Sequence, residues 1–128
     1  NSGIRKITKT FAAAVVGTTE TKALFQIEVG TRVHWCTAVP LVNAAAGTDS
    51  TIEIGDDGDP DRFLRTADYD PETAVVGTPI SGVGAGLAAS GGYLYTVENT
   101  IDAVYTNAGA TGALPKVRIT LAVSNDLR

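Results

Sequence analysis

The segment KVRITLAV, from Lys116 to Val123, alternates polar and apolar side chains along most of its length. Successive side chains of a β-strand point to opposite faces of a sheet, so this pattern places Val117, Ile119 and Leu121 together on one face. We therefore predict a strand here with one buried, apolar face and one polar face.

The same alternation recurs through the chain and predicts further strands at Ile4 to Phe11, Ala23 to Val29, Arg32 to Val39, Thr51 to Gly55, Tyr93 to Val97 and Thr100 to Tyr105. Pro40 would make the segment that follows it an edge or a loop, because proline cannot donate to a sheet ladder. The loop from Asn107 to Ala113 would close an antiparallel pair with the Lys116 strand. Short strands without helical periodicity between them predict an all-β fold, a single domain over residues 1–128 built as an antiparallel β-sandwich or barrel.

Two segments depart from the regular strand pattern. Gly77 to Gly92 contains six glycines and predicts a long glycine-rich loop or surface excursion. Residues 1–21 could form an extended N-terminal arm, or Ile4 to Phe11 could be an ordinary first strand with a solvated basic face. The sequence leaves both alternatives open. The cations of this segment are Arg5, Lys6 and Lys9.

Composition limits the classes of partner. Ten Lys and Arg against fourteen Asp and Glu give a formal net charge of -4. Binding to phosphate backbones needs a concentrated positive surface, so nucleic acid is not an expected partner. The apolar runs are far shorter than the roughly 20 residues that cross a bilayer, so a membrane is not expected either.

Few residues are available for catalysis. A nucleophile usually needs an adjacent base, and His34 is the only histidine. Alternation places His34 on the face opposite Val33 and Trp35. Cys36 is expected to be a half-buried strand residue rather than a reactive thiol. The glycines from Gly82 to Gly86 lack the strand and helix that a dinucleotide loop requires. We therefore predict that the protein is not an enzyme and holds no cofactor.

An aspartate-rich stretch follows the predicted strand Thr51 to Gly55. Asp57, Asp59 and Asp61 take the first, third and fifth positions of a calcium loop. The sixth position, where glycine permits the sharp turn, is Arg62. We predict no metal site and keep the three aspartates as weak candidates for holding a cation, with a solvated turn as the alternative.

The residues after these aspartates are expected to enter the core. Pro60 suits the start of a helical turn, which would run from Asp61 to Thr66. That turn would direct Phe63 and Leu64 inward. The acidic stretch would then be a turn, stiffened by Pro60, that follows a strand.

A longer pattern includes this stretch. Ile52 to Phe63 fits I-x-I-G-D-x-x-D-P-D-x-F, and Thr100-Ile101-Asp102 opens a later strand that leads through a Gly/Ala/Thr-rich turn into KVRITLAV. Together with ALFQIEVG from Ala23, these features resemble small structural proteins of tailed bacteriophages, especially head decoration or cement proteins. The resemblance covers about two-thirds of the chain and leaves residues 1–21 and the glycine-rich loop uncovered.

The resemblance implies a non-enzymatic virion protein that binds and stabilises the head lattice at the capsid surface. Its partner would be the major capsid protein, and the protein itself would be a homo-oligomer such as a trimer. Arg5, Lys6 and Lys9 would be the capsid-contact candidates, since cations on an acidic protein favour docking on an acidic surface. The alternative is a head fibre or a receptor- or carbohydrate-binding module of the virion, which would use the glycine-rich loop with aromatic residues Trp35, Tyr93 or Tyr95.

Overall fold

The computed structural model of the chain describes residues 3–14, 19–46, 49–84, 87, 91–107 and 112–126. Within these ranges it contains eight strands: β1 (Arg5–Ala12), β2 (Thr19–Ile27), β3 (Thr31–Val42), β4 (Thr51–Gly55), β5 (Ile80–Ser81), β6 (Tyr93–Leu94), β7 (Asn99–Thr106) and β8 (Lys116–Asn125). The predicted all-β fold is confirmed. Two alternatives were open for the N-terminal segment, an extended arm and an ordinary first strand. Residues Arg5–Ala12 form the first strand, which is paired with β8.

The strands form two sheets. Within each sheet, all the strand pairings are antiparallel. Sheet A has the order β1-β8-β3-β5, with β6 also paired to β3, and sheet B has the order β2-β7-β4. The sheets share one hydrophobic core. The rings of Phe11 in β1 and Tyr105 in β7 lie 6.4 Å apart between centroids, which joins the two sheets by an aromatic contact. The architecture is therefore a β-sandwich.

The chain crosses repeatedly between the sheets. β2 pairs with β7 and β3 pairs with β8, so the strands on either side of Gly30 do not pair with each other. β7 and β8 also lie in different sheets, so the predicted antiparallel pair is wrong. Turn residues permit either a hairpin or a crossover, and here the crossover lets both apolar faces be buried against each other. Residues 108–111 of this connection lie outside the described ranges.

β3 departs from the alternation expected of it. Val33 and Cys36 are fully buried, whereas Trp35 is 38% exposed. A β-bulge between Val33 and Trp35 inserts an extra residue opposite β8 and reverses the faces that follow. The predicted placement of Trp35 on the same face as Val33 is therefore wrong, and Cys36 is fully rather than half buried.

β3 also continues through Pro40 to Val42, so of the two alternatives for the segment after Pro40 the loop is wrong and the edge holds: pairing with β8 continues, whereas β5 pairs only with Thr37 and Ala38. The Pro40 carbonyl accepts a bond from the Gly77 N–H at 2.9 Å, on the side of β3 away from β8. The N–H and C=O of one residue in an antiparallel strand point to the same side. Proline has no backbone N–H, but an N–H at this position would point away from β8. The pairing of β3 with β8 therefore loses no hydrogen bond at Pro40.

The chain after β4 closes one side of the sandwich. Phe63 and Leu64 fold back on Ile54, whose carbonyl accepts both of their N–H groups at 2.9 and 3.1 Å. Both side chains are fully buried, as predicted. They are reached through a tight turn rather than the expected helical turn, because Arg62 N–H donates to the Asp59 carbonyl at 3.1 Å and the chain then extends into a bridge with β4.

The described part of the glycine-rich loop packs on this closed side. β5 lies within it and pairs with β3. Gly82 N–H donates to the Cys36 carbonyl at 2.9 Å, and Gly84 N–H donates to the Phe63 carbonyl at 3.1 Å. A Cβ on Gly82 would lie 2.2 Å from the Phe63 carbonyl oxygen, so glycine permits this close approach. Residues 85–86 and 88–90 lie outside the described ranges.

Candidate functional site

Asp56, the first residue after β4, is a buried carboxylate at the centre of the acidic turn. Its Oδ1 accepts the N–H groups of Gly58 and Asp59, each at 3.0 Å, and its Oδ2 accepts the Tyr95 hydroxyl at 2.7 Å. Arg62 donates two further bonds, from Nε at 2.7 Å and from Nη2 at 3.1 Å. These five bonds use the acceptor capacity of the carboxylate within the protein itself.

The charge of Arg62 is held against aromatic rings as well as against Asp56. Its guanidinium lies 4.1 Å from the centroid of Tyr93, a cation–π contact. Tyr93 in turn meets Tyr95 edge to face, with centroids 5.0 Å apart. Because Tyr93 belongs to sheet A and Asp56 follows a strand of sheet B, this cluster ties the two sheets together.

The pKa of Asp56 lies below its ordinary value. Burial alone would raise it, but hydrogen bonds from Arg62 and Tyr95 and the guanidinium charge outweigh that effect. The pKa of Arg62 is raised, chiefly by its hydrogen bond to Asp56. The two groups therefore remain charged together and act as a structural ion pair.

The three weak cation candidates surround this turn. Asp57 is exposed, and its Oδ1 accepts a bond from Asn99 at 3.2 Å. Asp59 and Asp61 are half-buried. Within the described ranges, no three His, Cys, Asp or Glu side chains are grouped so that they could hold a metal ion. The expectation of no metal site, with these aspartates as weak cation candidates, stays a prediction from the sequence.

The same aspartates make this end of the sandwich strongly acidic. The pKa of Asp61 is raised, first by a hydrogen bond with Asp59 and then by burial and by the Asp59 charge. The pKa of Glu53 in β4 is also raised, by burial and by the charges of Asp61 and Asp59. Mutual repulsion between carboxylates favours their protonated forms.

Asp68, which would be the twelfth residue of a calcium loop counted from Asp57, has partners within the protein. Its carboxylate accepts the Arg65 N–H at 2.9 Å, the Arg65 Nη2 at 2.8 Å and the Val83 N–H at 3.0 Å. Burial would raise its pKa, but these bonds lower it below the ordinary value. Asp68 therefore fastens the glycine-rich loop to the turn that follows Leu64.

The capsid-contact candidates Arg5, Lys6 and Lys9 are all exposed on β1, at the edge of sheet A. They do not share a face. Arg5 and Lys9 lie opposite Val123 and Ile119 of β8, on the side of the sheet that faces the core. Lys6 lies opposite Ala122 and points to the outer side, where its Nζ is 5.6 Å from the ring of Trp35.

The outer face of sheet A is a basic surface around Trp35. We define this face by four rows of paired residues: Lys6, Ala122 and Trp35; Thr8, Thr120 and Thr37; Thr10, Arg118 and Val39; Ala12, Lys116 and Val42. Its charged members are the cations Lys6, Arg118 and Lys116. Thr8 and Thr120 share a hydrogen bond of 3.0 Å between hydroxyls, which confirms that their side chains lie on the same face.

The outer face of sheet B has the opposite charge. It is defined by three rows: Thr19, Thr106 and Thr51; Thr21, Val104 and Glu53; Ala23, Asp102 and Gly55. Its charged members are the acids Glu53 and Asp102, and the acidic turn adjoins it at the end of β4. The sandwich therefore presents a basic face and an acidic face on opposite sides.

The two residues considered for catalysis, His34 and Cys36, are a hydrogen-bonded histidine and a buried thiol. The His34 Nε2 shares a hydrogen bond of 2.7 Å with the Ser124 hydroxyl, and Ser124 donates to Asp126 at 3.0 Å. Burial raises the pKa of the Cys36 thiol to about 12, with a further contribution from the Asp68 charge. A thiol with this pKa is a poor nucleophile near neutral pH.

The sequence did not predict two features, the buried cluster around Asp56 and the exposure of Trp35. The aspartate that forms the buried cluster is Asp56, whereas the calcium-loop spacing drew attention to Asp57, Asp59 and Asp61. Its signal was the sequence Asp56-Asp57-Gly58, which is typical of a side chain closing a turn on the backbone two residues later. The exposure of Trp35 had no such signal, because the bulge that produces it leaves no mark in the alternation.

Comparison with solved structures identifies similar folds. A chain in the capsid asymmetric unit of cyanophage Pam1 matches over 96% of this chain and 84% of its own length, with a TM-score of 0.61 and 18% identity. A chain in the acid-stable capsid of Helicobacter pylori bacteriophage KHP30 matches over 94% and 92%, with a TM-score of 0.52 and 11% identity. Both are phage capsid structures. No protein-family model and no curated protein sequence matches the chain.

These likenesses establish a shared fold along nearly the whole chain. At 18% and 11% identity the likenesses extend to the fold and not to the side chains of the faces described above. In the part of the chain that the structure describes, no helix is long and apolar enough to cross a membrane.

Proposed function

We propose that the chain is a non-enzymatic structural protein of a bacteriophage virion, and specifically a decoration or cement protein that binds and stabilises the head lattice. It would lie on the capsid surface with the major capsid protein as its partner, and it would act as a homo-oligomer such as a trimer. The observation that carries the proposal is the fold shared over 96% of the chain with a component of a phage capsid.

The construction of the sandwich supports this role. A lattice-binding protein must present a fixed surface at many symmetric positions, which favours a rigid body over a flexible one. β3 and β8 pair along nearly their whole lengths, and the Asp56 cluster and the Phe63 turn fasten the two sheets along one side. A body of this kind loses little conformational entropy when it docks.

The proposed capsid contacts come from among Arg5, Lys6 and Lys9. All three are exposed on the same edge strand, and they stand on a protein whose formal net charge is -4. Cations concentrated at one place on an acidic protein orient it as it approaches an acidic surface.

The test uses the phage that encodes the chain. Virions from a deletion strain are compared with wild-type virions for protein content and for the temperature at which they release DNA. We expect the protein in many copies per wild-type head, DNA release from deletion heads at a lower temperature, and recovery when purified protein is added back. Wild-type virions without the protein would contradict a virion role, and unchanged heat resistance of deletion heads would contradict the cement role.

One observation favours the alternative of a receptor- or carbohydrate-binding module. Trp35 is exposed, as a sugar-stacking residue must be. Tyr95 is buried, however, and Tyr93 is half-buried under Arg62, so one of the three aromatic candidates is available on the surface. Binding of the purified protein to a glycan array, lost in Trp35→Ala, would establish the alternative.

A further inference from the structure

We propose that the outer face of sheet A is the docking face of the protein, and that it binds an acidic protein surface of the capsid lattice through Lys6, Trp35 and Arg118. This inference rests on the proposed function and goes beyond it by assigning the contact surface and the chemistry of the partner. It also divides the three cations of β1, because Lys6 becomes a contact while Arg5 and Lys9 do not.

Charge is the first argument for this face. Its charged members are cations, although the whole chain has more acids than bases. The outer face of sheet B and the adjoining turn carry Glu53, Asp102 and the exposed Asp57. An acidic partner therefore attracts one side of the sandwich and repels the other, so that complementarity fixes which side docks.

Trp35 is the second argument. Tryptophan and arginine are enriched among the residues that dominate binding energy at protein interfaces. Trp35 rises from small neighbours, since Ala122 lies beside it in the same row and Thr37 follows it on the same strand. The cation of Lys6 lies over its ring. A large apolar ring with a cation over it suits an acidic surface that has a shallow apolar depression.

The edge of β1 is a poorer docking place than this face. An added strand would extend sheet A and place its own side chains beside those of β1 on both faces. Arg5 and Lys9 lie on the core side of β1, so a strand paired there would enclose their charges against apolar residues. Charged residues that point inward on an edge strand are a recognised obstacle to such pairing.

A second copy of the chain is a poorer occupant than the lattice. The basic and acidic faces lie on opposite sides of the sandwich, so a contact between them would be head to tail. Repetition of a head-to-tail contact through opposite sides extends a stack without closing it. An acidic lattice surface meets the same charge requirement with a single contact for each copy.

The experiment measures binding to heads of the phage that encodes the chain, purified from the deletion strain. The test variant is Lys6→Glu with Arg118→Glu, and its matched control is Arg5→Glu with Lys9→Glu. Both pairs change the formal charge equally, yet only the first alters the outer face of sheet A. We expect the test pair to weaken binding at least 10-fold more than the control pair, and Trp35→Ala to weaken it about 30-fold.

Chemical footprinting gives a second readout that does not depend on substitution. Lysine acetylation of the wild-type protein, free and bound to heads, is compared at Lys6 and Lys9, which lie three residues apart on opposite faces of β1. We expect protection of Lys6 on binding and continued reaction of Lys9. Unfolding midpoints of all variants confirm that each is folded before its binding is compared.

The outcomes separate this inference from the proposed function. Equal losses in the two charge-reversal pairs would overturn the assignment of the face, since net charge would then explain binding. Tight binding of wild type together with unchanged binding of the test pair and of Trp35→Ala would also overturn it and leave the proposed function standing. Failure of wild type to bind heads at all would overturn both. Concentration-dependent stacking of the free protein, abolished by Lys6→Glu, would make a second copy the occupant and overturn the lattice as partner.

Discussion

The hydroxyl of Tyr95 donates to the carboxylate of Asp56 over 2.7 Å, and this bond joins the segment after β6 in sheet A to the end of β4 in sheet B. Tyr95 is itself fixed by backbone bonds, because its N–H donates to the Thr31 carbonyl at 2.8 Å and its carbonyl accepts the Gly30 N–H at 2.8 Å. The carboxylate of Asp56 therefore links the acidic turn to the main chain of the opposite sheet.

Removal of the Asp56 charge should destabilise the protein strongly. In Asp56→Asn the partly buried guanidinium of Arg62 loses its counter-ion, and breaking one side of a buried ion pair costs about 3 kcal/mol. We expect the free energy of unfolding in urea to fall by this amount. Asp57→Asn, one residue further along and exposed, is the control and should change it by less than about 0.5 kcal/mol. Equal effects of the two substitutions would contradict the structural role of Asp56.

The contribution of Asp56 should depend on pH in a defined direction. Its pKa is lowered in the folded state, so the unfolded carboxyl binds a proton first as the pH falls. The stabilisation is fully present above the ordinary carboxyl pKa and is lost as the pH falls through the lower folded value. We expect the difference in unfolding free energy between wild type and Asp56→Asn to be constant from about pH 7 to about pH 5 and to shrink below about pH 4. A difference that widens in acid would contradict this sign.

Glu53 should show the opposite behaviour to Asp56. Its pKa is raised by burial and by Asp61 and Asp59, so its charge disfavours the folded state at neutral pH. Glu53→Gln should leave the protein as stable as wild type, or slightly more so, at pH 7. Any gain should disappear in acid, because the wild-type carboxyl then takes up its proton and the repulsion ends. Thermal unfolding of both proteins across the same pH range measures this, and a loss of stability at neutral pH would count against it.

Close backbone approach should make two glycines intolerant of alanine. A Cβ on Gly55 would lie 2.2 Å from the Asp59 carbonyl oxygen, and a Cβ on Gly82 would lie 2.2 Å from that of Phe63. Backbone must move to admit either methyl group, and such overpacking costs about 1–3 kcal/mol. Gly58→Ala is the control, because its Cβ would meet side-chain atoms of Arg62 and Asp56 at an ordinary 3.5 Å. Chemical denaturation should rank Gly58→Ala as the mildest of the three.

Cys36 should be protected from thiol reagents in the folded protein. It is fully buried, and burial raises its pKa to about 12. We expect a disulfide reagent at pH 8 to label the folded protein no faster than the chain unfolds, and to label it completely in urea. The chain has one cysteine, so the absorbance change reports on this site alone. Rapid labelling of the folded protein would indicate that β3 opens locally.

The regular strands were predictable because each meets the simple condition of one buried and one exposed face. β4 has the bounds expected from its sequence, Thr51 to Gly55, since Ile52 and Ile54 point inward and turn residues follow at once. In β8 the residues expected on the apolar face, Val117, Ile119 and Leu121, are buried, and so is Val123. Strand β5 is two residues long and too short to produce a period. The strand predicted from Tyr93 to Val97 is reduced to Tyr93 and Leu94 in β6, because both short strands exist only where they pair with β3.

Pairing partners and bulges depend on contacts between distant residues, and alternation alone does not contain them. The bulge at Val33 and Trp35 is set by the register with β8, some 90 residues along the chain. The same register places Lys6 next to Trp35. The cations of β1 could therefore be found in the sequence, but their division between two faces and the tryptophan beside one of them required the fold.

Trp35 is the only tryptophan of the chain, and it stands on the surface while Tyr69, Tyr95 and Tyr105 are buried. Because 38% of Trp35 is exposed, its emission in the free protein should lie between that of a buried indole and that of an indole in water, and unfolding should shift it to longer wavelength. Covering the ring with another protein should shift the emission to shorter wavelength. The buried tyrosines, by contrast, lose their ordered surroundings only on unfolding, which circular dichroism in the near ultraviolet detects. The protein thus carries two natural optical reporters, one for contact and one for folding, and no label is needed to tell the two events apart.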